Sequence, residues 1–305
     1  MRIGIAIDER GYTLGQVVDA ARAAADAGIR AFWMGQHADW DPLVALALAG
    51  REVPGIGVGT AIALTYPRHP LTLASGALSV QAATGNRFTL GVGLSHQPVI
   101  EDQYGYSYQR PARHLREYLS ALGPLLRGET VEYQGETLRA KGVTAVAGAE
   151  PPSLLVAALG PALLRLAGGL ADGTIINWAG PKVLDEHVVP TISAAAQAAG
   201  RPAPRVLAMV MVSVTRDADG VRDWVAEHFG LAATLASYRA MLDRGGAAGV
   251  ADTVVAGDAS AVEAELQRMT DAGATEFVVL PTGSGEERAR TIELLGSLTA
   301  ERTRR

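Results

Sequence analysis

The chain has 305 residues, 48% of them hydrophobic and 19% charged, enough apolar side chain to bury a sizeable core, which excludes disorder for the bulk of it. A net charge of −5 argues against the basic face that nucleic-acid binding needs, and the absence of cysteine excludes disulfide frameworks, thiolate metal sites and cysteine nucleophiles, in keeping with a reducing cytoplasm. No stretch holds the roughly 18 consecutive apolar residues of a membrane helix, and the N-terminus reaches Asp8 too soon for the apolar region of a signal peptide, so a soluble, cytoplasmic protein is expected.

Ile3 to Ile7 reads as the first strand. Thr13 and Gln16 frame the next helix as a capping box, with Leu14, Val17, Val18, Ala21 and Ala24 or Ala25 at helical spacing and Gly28 just past the last turn. The strand runs that follow are Ala31 to Met34, Ile56 to Leu64, Phe88 to Val92, Leu154 to Ala157, Thr174 to Ile176 and Val206 to Val214. Near the far end Ser260 and Glu263 form a second capping box, Val262, Leu266 and Met269 give the apolar stripe, Gly273 closes the helix, and Phe277 to Leu280 is the last strand. The joints Asp26-Ala27-Gly28-x-x-x-Phe32 and Asp271-Ala272-Gly273-x-x-x-Phe277 match almost letter for letter, with looser copies at Ala171-Asp172-Gly173 and Thr84-Gly85-Asn86-Arg87-Phe88.

About eight strands alternating with helices imply an α/β protein with a parallel sheet, and that number of units in this length points to a (β/α)8 TIM barrel, with a doubly wound sheet as the alternative. Two stretches exceed ordinary connections and read as lids inserted after strands four and seven. They are residues 95–152, with a small hairpin turning at Gln134-Gly135, and residues 216–252. No linker splits the chain, so residues 1–305 form one domain, with a frayed tail from Glu301 to Arg305.

Glycine-rich turns invite a dinucleotide reading, but neither Gly55-Ile56-Gly57-Val58-Gly59 nor Gly91-Val92-Gly93 continues as GxGxxG into a helix, and crowded turns at barrel rims explain them as well. There is no P-loop, and no His pair four apart with a Glu for zinc, so no metal is expected. In a barrel the active site lies at the C-terminal ends of the strands, which ranks His37, after strand two, and His96, after strand four, above the other histidines. Either imidazole can give or take a proton near neutral pH, or serve only as a hydrogen-bonding loop residue. His69, His114, His187 and His228 fall in helices or their flanks and read as surface or packing residues. Ala158-Leu159-Gly160-Pro161, after strand five, places a free helix N-terminus where an anion is welcome, although proline at the first helical position is also common for structural reasons. Trp178, after strand six, either covers an aromatic ligand or packs.

Ile56-Gly57-Val58-Gly59-Thr60-Ala61-Ile62 with Pro67 and Pro70, followed by Gly85-Asn86-Arg87-Phe88-Thr89-Leu90-Gly91-Val92-Gly93, resembles the luciferase-like monooxygenase superfamily. Phe32 to His37, His114-Leu115-Arg116-Glu117-Tyr118 with Leu125 to Gly128, and Gly160-Pro161 with Leu170 to Gly173 resemble its branch of oxidoreductases dependent on the deazaflavin coenzyme F420. The resemblance runs over nearly the whole chain. It implies a TIM barrel, usually dimeric, with a non-proline cis peptide at Ala61–Ile62 behind the flavin ring and His37 near the reactive face. Gln36 stands where the family often has an acid, and His96 stands where some relatives carry a catalytic Glu. The phosphate-binding turn maps to Ala158, Leu159, Gly160 and Pro161, and Thr60, Gly93, Ser95 and Trp178 complete the expected cofactor surround. The implied reaction is hydride transfer between the deazaflavin C5 and a small-molecule substrate, with an FMN-dependent monooxygenase or a non-catalytic flavin-binding protein as alternatives. A homodimer is expected too, paired through the helix opening at Pro70, where Leu71, Ala74, Leu78 and Ala82 lie near one face or else pack on their own barrel.

Overall fold

The computed structural model describes residues 1–37 and 39–301; residues 302–305, which hold most of the expected frayed tail, lie outside it. Eight parallel strands close on themselves: Ile3–Ala6, Ala31–Met34, Gly57–Thr60, Phe88–Gly93, Ser153–Ala157, Gly173–Asn177, Arg205–Val214 and Glu276–Pro281. The first strand pairs with both the second, Ile5 opposite Phe32, and the eighth, Ile5 opposite Val279. The sixth pairs with the seventh, Ala208 opposite Ile176. Closure rules out the doubly wound alternative, which would leave two free edges.

The barrel interior is filled by Ala6, Trp33, Leu155, Ile175, Leu207 and Val278. Most of the glycines read as rim turns lie within strands, Gly57 and Gly59 in the third and Gly91 and Gly93 in the fourth. A Cβ at Gly59 would run into the indole of Trp33, so its missing side chain is what admits the tryptophan to the barrel. Outside, the helices bury their apolar faces on the strands, as Val17, Val18, Ala21 and Ala24 do in the helix Leu14–Asp26.

Helix ends follow local chemistry. Thr13 and Gln16 form the expected capping box. At the far end the cap lies two residues earlier than expected: Asp258 accepts from the Ala261 amide at 2.9 Å and from the Ser260 hydroxyl at 2.8 Å, so Ser260 and Glu263 are inside the helix Ala259–Asp271 and form no box. A carboxylate two residues upstream outcompetes the serine hydroxyl for the free amides. The two matching joints are the same Schellman turn. Gly28 at φ 88° and Gly273 at φ 100° take the left-handed conformation, and the next amide reaches back to Ala24 or Met269.

Both expected insertions are present. After strand four come a π-turn at Val99–Gln103, the helix Pro111–Leu126 and an antiparallel hairpin, Val131–Gln134 with Arg139–Gly142. Buried Glu117 organises that hairpin by accepting from the Glu136 and Thr137 amides and the Thr137 hydroxyl. After strand seven come the helix Ala218–Phe229, the 3-10 turn Gly230–Thr234, the helix Ala236–Gly245 and a short strand, Val255–Gly257, that extends the seventh strand's pairing. Half of the stripe expected to pair subunits is used inside this chain: Ala74 and Leu78 of the helix Pro70–Thr84 are buried in the subunit's own core, where that helix packs between its neighbours Pro42–Glu52 and Pro111–Leu126, while Leu71 is half-buried and Ala82 exposed. No helix among the described residues is long and apolar enough to cross a membrane.

Candidate active site

The C-terminal ends of the strands surround a cavity of about 530 Å³ that continues into a lobe of about 300 Å³. Every barrel loop that the sequence ranked contributes to it, and so do both insertions, through Val99, Gln103, Tyr104 and Tyr108 from one and Ser237 and Tyr238 from the other. Arg10, His37, Ala61, His96 and Asn177 line both chambers and mark their junction.

At that junction the structure supplies a partner for His37. Glu9, one turn beyond the first strand, is wholly shielded from solvent, and its Oε1 accepts from His37 Nδ1 at 2.6 Å. That hydrogen bond, with the added attraction of the Glu9 and Asp8 charges, raises the His37 pKa above its ordinary 6.5 against the opposing cost of burial. With Nδ1 held by the carboxylate, Nε2 is the nitrogen left for a ligand. Glu9 was not among the expected site residues.

The floor is the segment after the third strand. The Ala61–Ile62 peptide is cis, as the resemblance implied. It is pinned from both sides: the Ala61 amide donates to the Met34 carbonyl at 2.8 Å, and the Gln36 amide donates to the Ile62 carbonyl at 2.9 Å. The Gln36 side chain then accepts from the Leu64 amide at 3.0 Å and from Arg68 Nε at 3.2 Å, while Arg68 also pairs with Asp41 at 2.8 Å. An amide oxygen here does what a carboxylate could do, namely accept two bonds, without bringing a charge to the floor.

His96 takes the opposite character from His37. Burial lowers its pKa, so the ring stays neutral, and it meets Tyr238 edge-on at 5.1 Å. It follows Ser95, whose φ of 60° turns the chain sharply out of the fourth strand and whose carbonyl accepts from the Tyr108 hydroxyl at 3.0 Å.

At the other end of the larger chamber lie Leu159, Gly160 and Leu163. Gly160 caps the helix Pro161–Leu170 without any side-chain bond to its first amides, and a Cβ at Gly160 would meet no protein atom within 4 Å. The space above this helix terminus is open. His187, read from sequence as a surface or packing residue, bonds the Leu159 carbonyl through Nε2 at 2.9 Å and so steadies the turn.

Residues 1–298 match the luciferase-like monooxygenase family. The chain belongs to that family. Among its relatives, the 5,10-methylenetetrahydromethanopterin reductase of Methanopyrus kandleri is 28% identical over 332 aligned residues, 92% of this chain and 93% of the relative. The solved coenzyme F420 dependent tetrahydromethanopterin reductase from Methanopyrus kandleri superposes with a TM-score of 0.76 at 23% identity over 97% of each chain. The oxygenating constituent of 3,6-diketocamphane monooxygenase from Pseudomonas putida, solved in complex with FMN, gives a TM-score of 0.75 at 18% identity, covering 99% of this chain and 98% of that one. At these identities the solved structures speak to the fold.

In this luciferase-like protein the expected site residues divide into wall and support. Gln36, His37, Ala61, Ile62, Ser95, His96, Leu159 and Gly160 line the larger chamber. Thr60 does not: it is fully buried, its hydroxyl donating to the Gly91 carbonyl at 2.7 Å and accepting from the Gly91 amide at 2.9 Å, which ties strand three to strand four below the floor. Gly93 lies behind Ile62, whose side chain occupies the space a Cβ would need. Ala158 is wholly buried and Pro161 faces solvent, so the turn offers backbone at 159–160 rather than these side chains. Trp178 lines the smaller lobe, away from the turn, and packs on Phe229 and Tyr238. Among the described residues no cluster of three or more His, Asp or Glu is arranged to hold a metal ion.

Proposed function

We propose that the chain is an F420-dependent oxidoreductase acting on a small organic substrate. The observation that carries this reading is one continuous cavity joining an open, uncapped helix terminus at Gly160 to a histidine backed by a buried carboxylate. The residues fit a deazaflavin. Ala61 and Ile62 offer a flat backing for a ring, and Gly160 leaves the room that a side chain would fill. The amides after Pro161 suit the anionic tail, since a helix terminus favours a nearby negative charge by about 0.3 to 1 kcal/mol. When bound, the deazaflavin supplies or accepts a hydride.

The chain's own work is proton handling, orientation and exclusion of water. His37 gives or takes the proton at Nε2, and Glu9 fixes its ring and stabilises its charged form. His96, kept neutral, orients substrate by hydrogen bonding. The two insertions add Tyr104, Tyr108 and Tyr238 to the cavity wall, where they help keep water from the reacting pair. The same reading takes the protein as a cytoplasmic homodimer whose contacts lie outside the buried Ala74 and Leu78. Sedimentation equilibrium giving a monomer at micromolar concentration overturns the dimer.

Fluorescence titration of oxidised F420 and of FMN against the purified protein tests the cofactor. F420 binds more tightly on this reading. A tenfold preference for FMN, about 1.4 kcal/mol, replaces the reading with a flavin monooxygenase.

A further inference from the structure

We infer that the smaller lobe beside His37 and His96 is a pocket for an uncharged, ring-sized apolar substrate that presents a single hydrogen-bonding group to the junction. The inference rests on the cofactor reading, which assigns the larger chamber to the deazaflavin and leaves this lobe to its reaction partner.

The walls argue first. The lobe of about 300 Å³ is bounded by Trp178, Met209, Met211, Phe229, Leu235 and Leu280, side chains that offer area and shape and almost no hydrogen bonding. The aromatic rings form a tilted frame: Trp178 to Phe229 at 6.1 Å and 52°, and Trp178 to Tyr238 at 6.4 Å and 86°. Rings packed edge to face on one another in this way present a preformed aromatic wall for a flat apolar guest to lie against. The two methionines on the seventh strand add soft, adaptable surface below it.

Charge argues second. Asp8 and Arg10 are the charged residues on the lobe wall apart from the histidines, and they are spent on each other, Arg10 Nε to Asp8 Oδ1 at 2.7 Å and Arg10 Nη2 to Asp8 Oδ2 at 2.5 Å. Asp8 already offsets the Arg10 charge, so Arg10 draws a substrate anion only weakly, and a cationic substrate would meet Arg10 and His37. Burial of an unpaired charge among Met209, Met211 and Leu280 is disfavoured. Polar capacity at the junction is small. Asn177 is already engaged, its Oδ1 by the Trp178 amide at 3.0 Å and its side chain by Tyr238, which leaves the ring nitrogens of His37 and His96 for one carbonyl or hydroxyl. A ring edge carrying several donors and acceptors would leave most of them without partners, at a cost the apolar walls cannot return.

Isothermal titration of two matched probes tests the inference: 2-acetylnaphthalene, neutral with one carbonyl, and 2-naphthoate, the same rings with a carboxylate. The neutral ketone is expected to bind at least tenfold more tightly. Leu235→Glu, at a half-buried wall position, is expected to weaken the ketone tenfold or more, Leu235→Met to leave it within twofold, and both to keep wild-type affinity for F420. Equal or tighter binding of 2-naphthoate, or a ketone affinity unchanged in Leu235→Glu, overturns the inference. F420 binding without ketone binding sinks the lobe assignment alone. Ketone binding without F420 binding retains the lobe and removes the cofactor reading.

Discussion

The Glu9 carboxylate holds His37 Nδ1 at 2.6 Å from a position with no exposed surface, while half of the His37 side chain faces the cavity. A shielded acceptor behind an exposed ring is an arrangement that sets the ring's charge and tautomer without competing for the ligand. Because the Glu9 hydrogen bond raises the His37 pKa, the imidazolium persists to higher pH than a free histidine would allow. Glu9→Gln keeps the shape and loses the charge. The limb of the pH–rate profile that reports protonated His37 is expected to move to lower pH in that variant, with kcat reduced about ten- to a hundredfold, short of the roughly 10²–10⁴ that general acid–base help supplies in full. The linked stability has a definite sign: a raised folded pKa contributes stability that is complete below 6.5 and lost as pH rises through the folded value. Urea unfolding of wild type and Glu9→Gln across that window checks it. Profiles that coincide would show Glu9 to be packing only.

His37 and His96 differ in charge state as well as in place. His37 is tuned towards protonation by a partner, whereas His96 is tuned away from it by burial and has Tyr238 against its ring. His37→Ala is therefore expected to lower kcat by about 10² or more while changing cofactor affinity by a smaller factor, and His96→Ala to act mainly on KM. Stopped-flow oxidation of the reduced deazaflavin by an enone or quinone acceptor separates the two. Loss of hydride transfer in His96→Ala with His37→Ala intact reverses the roles.

His114 is buried outside the walls of the cavity. It stacks on Tyr66 at 4.0 Å, its Nε2 lies 3.1 Å from the Thr65 hydroxyl, and burial lowers its pKa from 6.5 to about 4 in spite of the nearby Glu117. A depressed pKa contributes stability that is present above 6.5 and lost as pH falls towards the folded value. At about 1.36 kcal/mol per pH unit, the gap between 6.5 and about 4 corresponds to about 3 kcal/mol lost on acidification. Chemical denaturation at pH 7 and pH 4 is expected to show that loss in wild type and a shallower one in His114→Gln.

How much of this was legible in the sequence depends on the range over which each signal acts. The eight strands and both insertions follow from local periodicity, and the Gly28 and Gly273 joints from a turn that needs a left-handed residue. Glu9 was not legible, because Asp8-Glu9-Arg10 reads as a solvated charged turn. The available clue was register: once strands one and two pair with Ala6 opposite Trp33, Glu9 and His37 stand three and four residues beyond that pair, at about the same height. His187 was missed for the same reason, since it lies 28 positions along the chain from Leu159 and the two meet only once strands five and six pair. Thr60 failed in the other direction. A motif assigns it to the site, yet strand alternation turns its side chain into the protein and leaves Ala61 and Ile62 to line the cavity.

The turn at Gly160 offers the cleanest test of the cofactor's orientation, because there the protein and the ligand are separable. Gly160 sits at φ −81° and ψ 158°, a conformation open to any residue, and a Cβ on it meets no protein atom within 4 Å. Gly160→Val is thus expected to change folding stability by no more than about 0.5 kcal/mol, as surface substitutions away from special contacts do. If the anionic tail lies on the amides that follow Pro161, the valine occupies its space, and F420 affinity falls tenfold or more. The deazaflavin chromophore without its phosphate has nothing there to lose, and its affinity is expected to stay within twofold. His187→Ala, which removes the 2.9 Å bond to the Leu159 carbonyl, is expected to give a smaller loss in the same direction and with the same dependence on the phosphate. Equal weakening of the phosphate-free chromophore would mean that the turn meets the ring instead, and unchanged F420 affinity in Gly160→Val would remove the turn from the site.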